Sequence, residues 1–315
     1  MKKGFAIIIC GALCFCGSVS CGMEEEENTT EIVTTQTITE EATSEENEGI
    51  VIEDTTKEPS LQSTEDEQLT ALLQDLMKER TYSGDCSIGV VDLTSKEGAY
   101  IDSHSMQAAS LIKLYIAGAI YENIDNGLIP KTDNIDALLS IMISQSDNDA
   151  ANNLVTILGE DDVVLGMQRV NEYCLKHGFE DTHMGRLLLA SNDEDDNFTS
   201  VSDVILFMEM IYEGKLAGSI DILAYMKEQE RTAKLPAGIP EGIITANKTG
   251  ELADVENDAM IVLSPQHPYV ICVMCQYVEG TADAREWMTK VSGDVYNYYM
   301  EGLPDTVSNV ENEEN

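Results

Sequence analysis

Two residues three apart, Ser110 and Lys113, sit in AASLIKLYIA, a stretch that is otherwise apolar nearly throughout. On a helix, positions i and i+3 share a face, so the serine Oγ and the lysine Nζ can meet. A serine hydroxyl is a poor nucleophile until a base takes its proton. A lysine desolvated by Leu111, Ile112, Leu114, Tyr115 and Ile116 has its pKa drawn down, because burial disfavours the ammonium form. The pair therefore reads as a nucleophile with its base. Ser110 would stand near a helix N-terminus, where free amides can stabilise a developing oxyanion. A chain of this length carries about one Ser-x-x-Lys by chance, and a lysine can snorkel from a helix flank, so the pair alone does not define a site.

Two further clusters belong with it. Ser146-Asp147-Asn148 lies between DALLSIMISQ and DAANNLV, and reads as a loop between helices that presents a hydroxyl and an amide. The plainer alternative is an N-cap from Asp147 or Asn148. Lys248-Thr249-Gly250 ends the strand-like run IITANKTG. It offers a cation, a hydroxyl and a glycine that permits close backbone approach; its plainer alternative is an exposed strand end with a turn glycine.

The elements that must position these groups are legible from periodicity. A helix is expected over Leu69 to Met77, then strands over Cys86–Leu93 and near Ala99–Asp102. AASLIKLYIAGAIYENI predicts a helix ending near Gly127. Further helices are expected at Ile135–Ser144, Ala150–Leu158, Asp162–His177, Val201–Tyr212 and Ile220–Lys227. Strands return at Ile243–Gly250, Ala259–Leu263 and Tyr269–Val278, before a last helix over Ala282–Tyr299. Two strands, a helical block, three strands and a helix predict an α/β (α+β) fold. Its antiparallel sheet is flanked by helices and interrupted by an all-helical subdomain.

The chain has 315 residues, with 58 acids against 18 Lys and Arg and a net charge of −40. That balance argues against nucleic acid as a partner and against unassisted binding to anionic lipid. Residues 1–21 read as an export signal: Lys2 and Lys3 precede an apolar run of roughly 15 residues, short of the about 20 that span a bilayer. The run ends in Ser18-Val19-Ser20-Cys21-Gly22, which resembles a lipoprotein cleavage box with lipidation at Cys21, although Ser18 stands where such boxes favour leucine. Residues 22–65 are rich in Glu, Thr, Ser and Asn and are expected to form an acidic disordered tether. The folded domain is expected over 66–302 and an acidic tail over 303–315. The membrane is reached only through the N-terminal lipid, and a monomer is expected on the outer face of a bacterial cytoplasmic membrane, or secreted. Cys272-Val273-Met274-Cys275 matches C-x-x-C, but in a strand residues three apart face opposite ways, so these read as buried free thiols rather than a metal or redox pair.

Ser-x-x-Lys, Ser-Asp-Asn and Lys-Thr-Gly, in that order, resemble the serine β-lactamases of class A and the penicillin-binding peptidases. SIMISQSDNDAANNLV and KLPAGIPEGIITANKTGEL are similar to the family's surroundings for the second and third motifs, and the likeness spans roughly residues 65–302. The resemblance implies a five-stranded antiparallel sheet with a helical subdomain, a β-lactam or D-alanyl peptide substrate, and no cofactor or metal. It further implies that Ser110 attacks the carbonyl, Lys113 is the base and Ser146 relays a proton to the leaving nitrogen. Asn148 would bind the substrate amide, Lys248 and Thr249 its carboxylate, and the backbone amides of Ser110 and Glu251 the oxyanion; Asp147 would be structural. The departures bear on the reaction. Class A enzymes carry a deacylating glutamate two residues after an arginine; here Arg186 matches but Leu188 takes the glutamate's place. Glu194, the nearest acid, lies in the solvated run NDEDDN. Asn257-Asp258 stands where an arginine is common, with Arg231 either a substitute or a surface residue, and an insertion carrying an aromatic wall is missing between Ser110 and Ser146. Slow deacylation is the consequence expected.

Overall fold

In the computed structural model the structure describes residues 64–301. The export signal, Cys21, nearly all of the acidic tether and the acidic tail fall outside the described residues. In chain order the elements are β1 (Thr64–Glu65), α1 (Glu67–Lys78), β2 (Asp85–Asp92), β3 (Glu97–Ile101), β4 (Met106–Gln107) and a 3-10 turn (Ala109–Leu111). Then come α2 (Ile112–Asp125), α3 (Asp133–Ser144), α4 (Asn148–Leu158), α5 (Val163–Lys176), β5 (His183–Met184) and β6 (Asn197–Thr199). After α6 (Val201–Tyr212), α7 (Ser219–Lys227) and a second 3-10 turn (Leu235–Gly238), the chain closes with β7 (Thr245–Leu252), β8 (Val255–Val262), β9 (Tyr269–Gln276) and α8 (Thr281–Met300).

The main sheet runs β1-β3-β2-β9-β8-β7. Its five long strands are antiparallel, as the sequence predicted, and the two-residue β1 adds a parallel pairing to β3 at one edge. Thr64 and Glu65 thus belong to the sheet, where the sequence reading placed them in the tether. Two residues carry no period, so nothing in the sequence announces them.

Both faces of the sheet are covered, which is why the strands read as unbroken apolar runs. Along β9, Ile271, Val273 and Cys275 pack with Leu69, Leu73, Trp287, Met288 and Val291 of α1 and α8. Val270, Cys272 and Met274 point the other way, onto α6 and the helical subdomain. The two thiols of Cys272 and Cys275 diverge to different cores, as strand alternation requires. Asp66 caps α1, its Oδ1 accepting from the amides of Gln68 and Leu69 at 3.0 Å each. Trp287 Nε1 donates to the Leu76 carbonyl at 3.0 Å and ties α8 to α1.

α2 is the axis of the helical subdomain, buried without interruption from Ile112 to Tyr121. A helix apolar on all sides belongs inside a protein, and Lys113 is fully buried within it. Its N-terminal end departs from the sequence expectation in one respect: the helix proper starts at Ile112, and Ser110 lies in the tighter turn before it. A small second sheet, β4-β6-β5, joins this region and is too short to leave a sequence pattern.

Candidate active site

The three motifs converge. Lys113 Nζ lies 3.0 Å from Ser110 Oγ, 2.6 Å from the Ser146 carbonyl, 3.3 Å from Ser146 Oγ and 2.7 Å from Asn148 Oδ1. From the opposite side, Lys248 Nζ donates to Ser146 Oγ at 2.8 Å and to the Thr249 carbonyl at 2.8 Å. The Ser146 hydroxyl therefore stands between two amines. Burial first, and then the Arg231 cation, push the Lys113 pKa down to about 7, against an opposing effect of Asp147. Lys248 is held well below its ordinary value by burial first, then by the charges of Lys113 and Arg231.

This geometry suits the neutral amine of Lys113. A neutral amine has two N–H donors and one lone pair. The Ser146 carbonyl and Asn148 Oδ1 only accept, so they use both donors. The lone pair is left for the hydroxyl of Ser110. An ammonium would instead place a third donor against Ser110 and raise the barrier to its deprotonation.

Each contributing element has a local reason for its shape. Asp147 caps α4, its Oδ1 accepting from the Ala150 amide at 2.7 Å. The capping alternative read from the sequence is thus correct for Asp147 and leaves Ser146 and Asn148 free to face the cleft. Ser146 adopts φ 61°, a left-handed conformation costly for a residue with a side chain. That turn presents its carbonyl to Lys113 and its hydroxyl to Lys248 together. Ala109, beside Ser110, is also left-handed at φ 47°.

Gly250 is needed for a reason other than the one the sequence suggested. A Cβ there would lie 2.8 Å from the Ala108 carbonyl and 3.2 Å from the Ser110 amide nitrogen. What approaches this glycine is the chain's own turn, not a ligand. The close approach sets the backbone of Glu251 beside that of Ser110. Asn257 fastens the same turn from β8: its Nδ2 donates to the carbonyls of Gln107 at 2.8 Å and Ala108 at 3.2 Å, while its Oδ1 accepts from the Cys275 amide at 3.1 Å.

A cleft of about 240 Å³ opens over these groups, lined by Ser110, Ser146, Asn148, Thr249, Leu188 and Arg231 among others. Leu188 is 7% exposed. Its backbone is clamped by Asn152, whose Oδ1 accepts from the Leu188 amide at 2.9 Å and whose Nδ2 donates to its carbonyl at 3.0 Å. Asn152 went unread in the sequence, because one asparagine on a helix carries no mark of its partner. The loop that follows is closed by Arg186, whose Nε pairs with Asp196 Oδ1 at 2.7 Å. Glu194 is exposed, in keeping with its solvated run.

Arg231 does reach the cleft, and its Nη1 pairs with Glu251 Oε2 at 3.1 Å. The resemblance assigns only the amide of Glu251, and its side chain carries no mark in the sequence of these partners. It meets Lys234 as well, at 3.1 Å; burial pushes its pKa up, but Lys234, Arg285 and Arg231 together hold it below the usual value. Behind it, fully buried Glu256 takes Lys234 at 2.7 Å and Arg285 at 2.6 Å. Asp258, where an arginine was expected by resemblance, is fully buried with its pKa pushed up to about 7 by burial, against the pull of Lys234. It accepts from the Leu235 amide at 3.1 Å and Asn247 Nδ2 at 3.0 Å, a structural carboxyl rather than part of the cleft. Among the described residues no group of three or more His, Cys, Asp or Glu is arranged to hold a metal ion.

The Beta-lactamase enzyme family matches residues 67–137 and 130–299, and the chain belongs to that family. Similar solved structures include PBP-A, at TM-score 0.66 and 24% identity over 76% of this chain and 98% of that one. A leucine-to-glutamate variant of PBP-A, an acyl-enzyme complex with penicillin G, gives 0.65 and 23% over 76% and 98%. An ancestral class A β-lactamase gives 0.64 and 20% over 73% and 100%. At these identities the structures establish the fold. No curated protein matches the chain in sequence.

Proposed function

We propose that this chain is an active-site serine hydrolase that β-lactams acylate at Ser110 and that releases the acyl group slowly. The observation that carries the proposal is the position of Lys113: fully buried, 3.0 Å from Ser110 Oγ, with a pKa of about 7. At neutral pH about half of such a lysine is amine, able to take the serine proton as Oγ attacks the carbonyl. The proton then passes to the leaving nitrogen through Ser146, whose Oγ accepts from Lys248 and is free to donate. Lys248 and Thr249 hold the substrate's carboxylate, which supplies the counter-charge that buried Lys248 lacks. The amides of Ser110 and Glu251 face the developing oxyanion, and Asn148 binds the acyl amide. No metal or cofactor is required by this scheme.

Release of the acyl group is the weak step. Water must be activated on the side where Leu188 stands, and a leucine accepts no proton. Glu251 is the acid that lines the cleft, yet its pairing with Arg231 and Lys234 holds its pKa low and makes it a poor base. Leu188 favours a second reading, a D-alanyl-D-alanine peptidase or esterase of cell-wall peptides that binds penicillin as a slow substrate. Both readings place the domain outside the cytoplasm, tethered through lipid at Cys21. A Cys21→Ala chain should leave the membrane fraction.

The deciding experiment uses the chain from Gln62 onward with a chromogenic cephalosporin and a fluorescent penicillin, beside Ser110→Ala. A stable fluorescent label on the parent alone, released slowly, is the expected result. Rapid sustained colour would mean that deacylation does not need a glutamate at 188. Equal absence of label on both proteins would overturn acylation and leave a binding domain.

A further inference from the structure

Cys86 on β2 and Cys275 on β9 are directly opposed in the antiparallel register, and their sulfurs lie 2.9 Å apart. Both are free and buried. Tyr82 Oη sits over them, 3.2 Å from Cys275 Sγ and 3.7 Å from Cys86 Sγ. The acyl-transfer chemistry uses none of these groups. From the geometry we propose that Cys86 and Cys275 form a disulfide that joins β2 to β9.

Directly opposed residues on antiparallel strands have Cα atoms about 4.5–5.5 Å apart, inside the range a disulfide spans, and their side chains leave the same face. The other two described thiols make useful contrasts. Cys272 points to the opposite core, and Cys174 lies on α5 in the helical subdomain. Among the described thiols only the 86–275 pair is in register.

The bond forms by thiol–disulfide exchange with a disulfide-bearing donor, a small molecule such as oxidised glutathione or a protein. One thiolate of the pair attacks the donor's disulfide and expels a donor thiol. The second thiolate then attacks that mixed disulfide, closes the 86–275 bond and expels the other donor thiol. The donor's disulfide is reduced to two thiols, which carry the two protons, and the pair is oxidised. Exchange requires a thiolate. Burial first, and then the contact with Cys86, hold the Cys275 pKa well above its ordinary value in the folded chain. Closure therefore belongs to folding, before α1 and α8 cover this face. The export reading of the N-terminus puts that step where disulfides persist.

The location gives the bond reach. The Cys275 amide donates to Asn257, and Asn257 holds the turn that carries Ser110. Next to it, Gln276 accepts from the Gln107 amide at 3.0 Å and donates to Asp85 at 3.0 Å. A link at 86–275 pins the two strands from which the nucleophile's turn is hung.

The test unfolds the full chain in reductant and refolds it in equal amounts of oxidised and reduced glutathione. Remaining thiols are then alkylated and the chain is digested without reductant. A peptide pair joining 86 to 275, with 174 and 272 alkylated, is the expected result. Recovery of alkylated 86 and 275 after oxidative refolding overturns the proposal, and this readout needs no variant. Calorimetry gives a second measure: the oxidised chain should melt roughly 5–15 °C above the reduced one. Cys86→Ala and Cys275→Ala should each abolish that difference. A difference that survives in both variants would assign it to other cysteines and count against the pair.

Discussion

At the scale of the residue, the chemistry depends on which amine is neutral. Lys113 and Lys248 face each other across Ser146 Oγ, and burial disfavours charge on both. In the proposed reaction the base is the amine whose lone pair reaches Ser110, which is Lys113. Acylation should then follow the fraction of Lys113 that is amine. The rate of fluorescent-penicillin labelling is expected to rise about tenfold per pH unit below pH 7 and to level off above it. Lys113→Ala should lower labelling roughly 10²–10⁴-fold and remove that limb. A limb that persists in the variant would mean that another group titrates. Leu188 is the complementary case. Asn152 holds its backbone, and its side chain faces the cleft, so a carboxylate introduced there inherits a fixed position. Leu188→Glu is expected to speed release of bound penicillin at least tenfold while labelling proceeds at a similar rate. Pulse labelling followed by an unlabelled chase checks both.

At the scale of the element, the site is a junction of three pieces: the turn before α2, the loop between α3 and α4, and β7. The tightest joint is Gly250 against Ala108 and Ser110. A methyl at 250 would meet the Ala108 carbonyl at 2.8 Å, and backbone cannot swing away as a side chain does. Gly250→Ala should therefore displace the nucleophile's turn, at a cost of about 1–3 kcal/mol in stability. Labelling should fall more than the melting temperature alone accounts for, when both are measured in one preparation. These joints also mark what sequence could and could not reveal. Helices α2 to α6 and the five long strands were legible because each carries its pattern over five or more residues. The three motifs were legible because together, and in that order, they resemble those of the family. By contrast β1, β4, β5 and β6 span two or three residues each and leave no pattern. The Asn152 clamp, the Asn257 fastening and the Glu251–Arg231 pair join residues distant in sequence, each side chain ordinary where it stands. The left-handed Ser146 was equally hidden, since only glycine advertises that conformation.

At the scale of the whole molecule, the buried charge arrangement around the cleft opposes folding. Lys113 has a folded pKa of about 7 against an ordinary 10.5. Between those values the unfolded chain binds a proton that the folded chain does not, so this lysine lowers stability fully below pH 7. Its penalty fades as pH rises toward 10.5. Asp258 acts in the opposite direction: its folded pKa of about 7 stands above the ordinary 3.8. The folded chain there holds a proton the unfolded chain has lost, and stability falls as pH rises from 3.8 to 7. Both penalties are in force near neutrality. The parent should therefore gain stability between pH 7 and pH 10 through Lys113, by at most about 1.4 kcal/mol per pH unit. Lys113→Met lacks that contribution. Removing the amine leaves the Ser146 carbonyl without its donor, so the sign of the difference at any single pH is set by two opposed effects. The slope is set by one. The melting temperature of Lys113→Met minus that of the parent is expected to decrease steadily from pH 7 to pH 10. A difference that stays flat over this range would mean that Lys113 keeps its proton in the folded chain, and with it the base assigned to Ser110 would be lost.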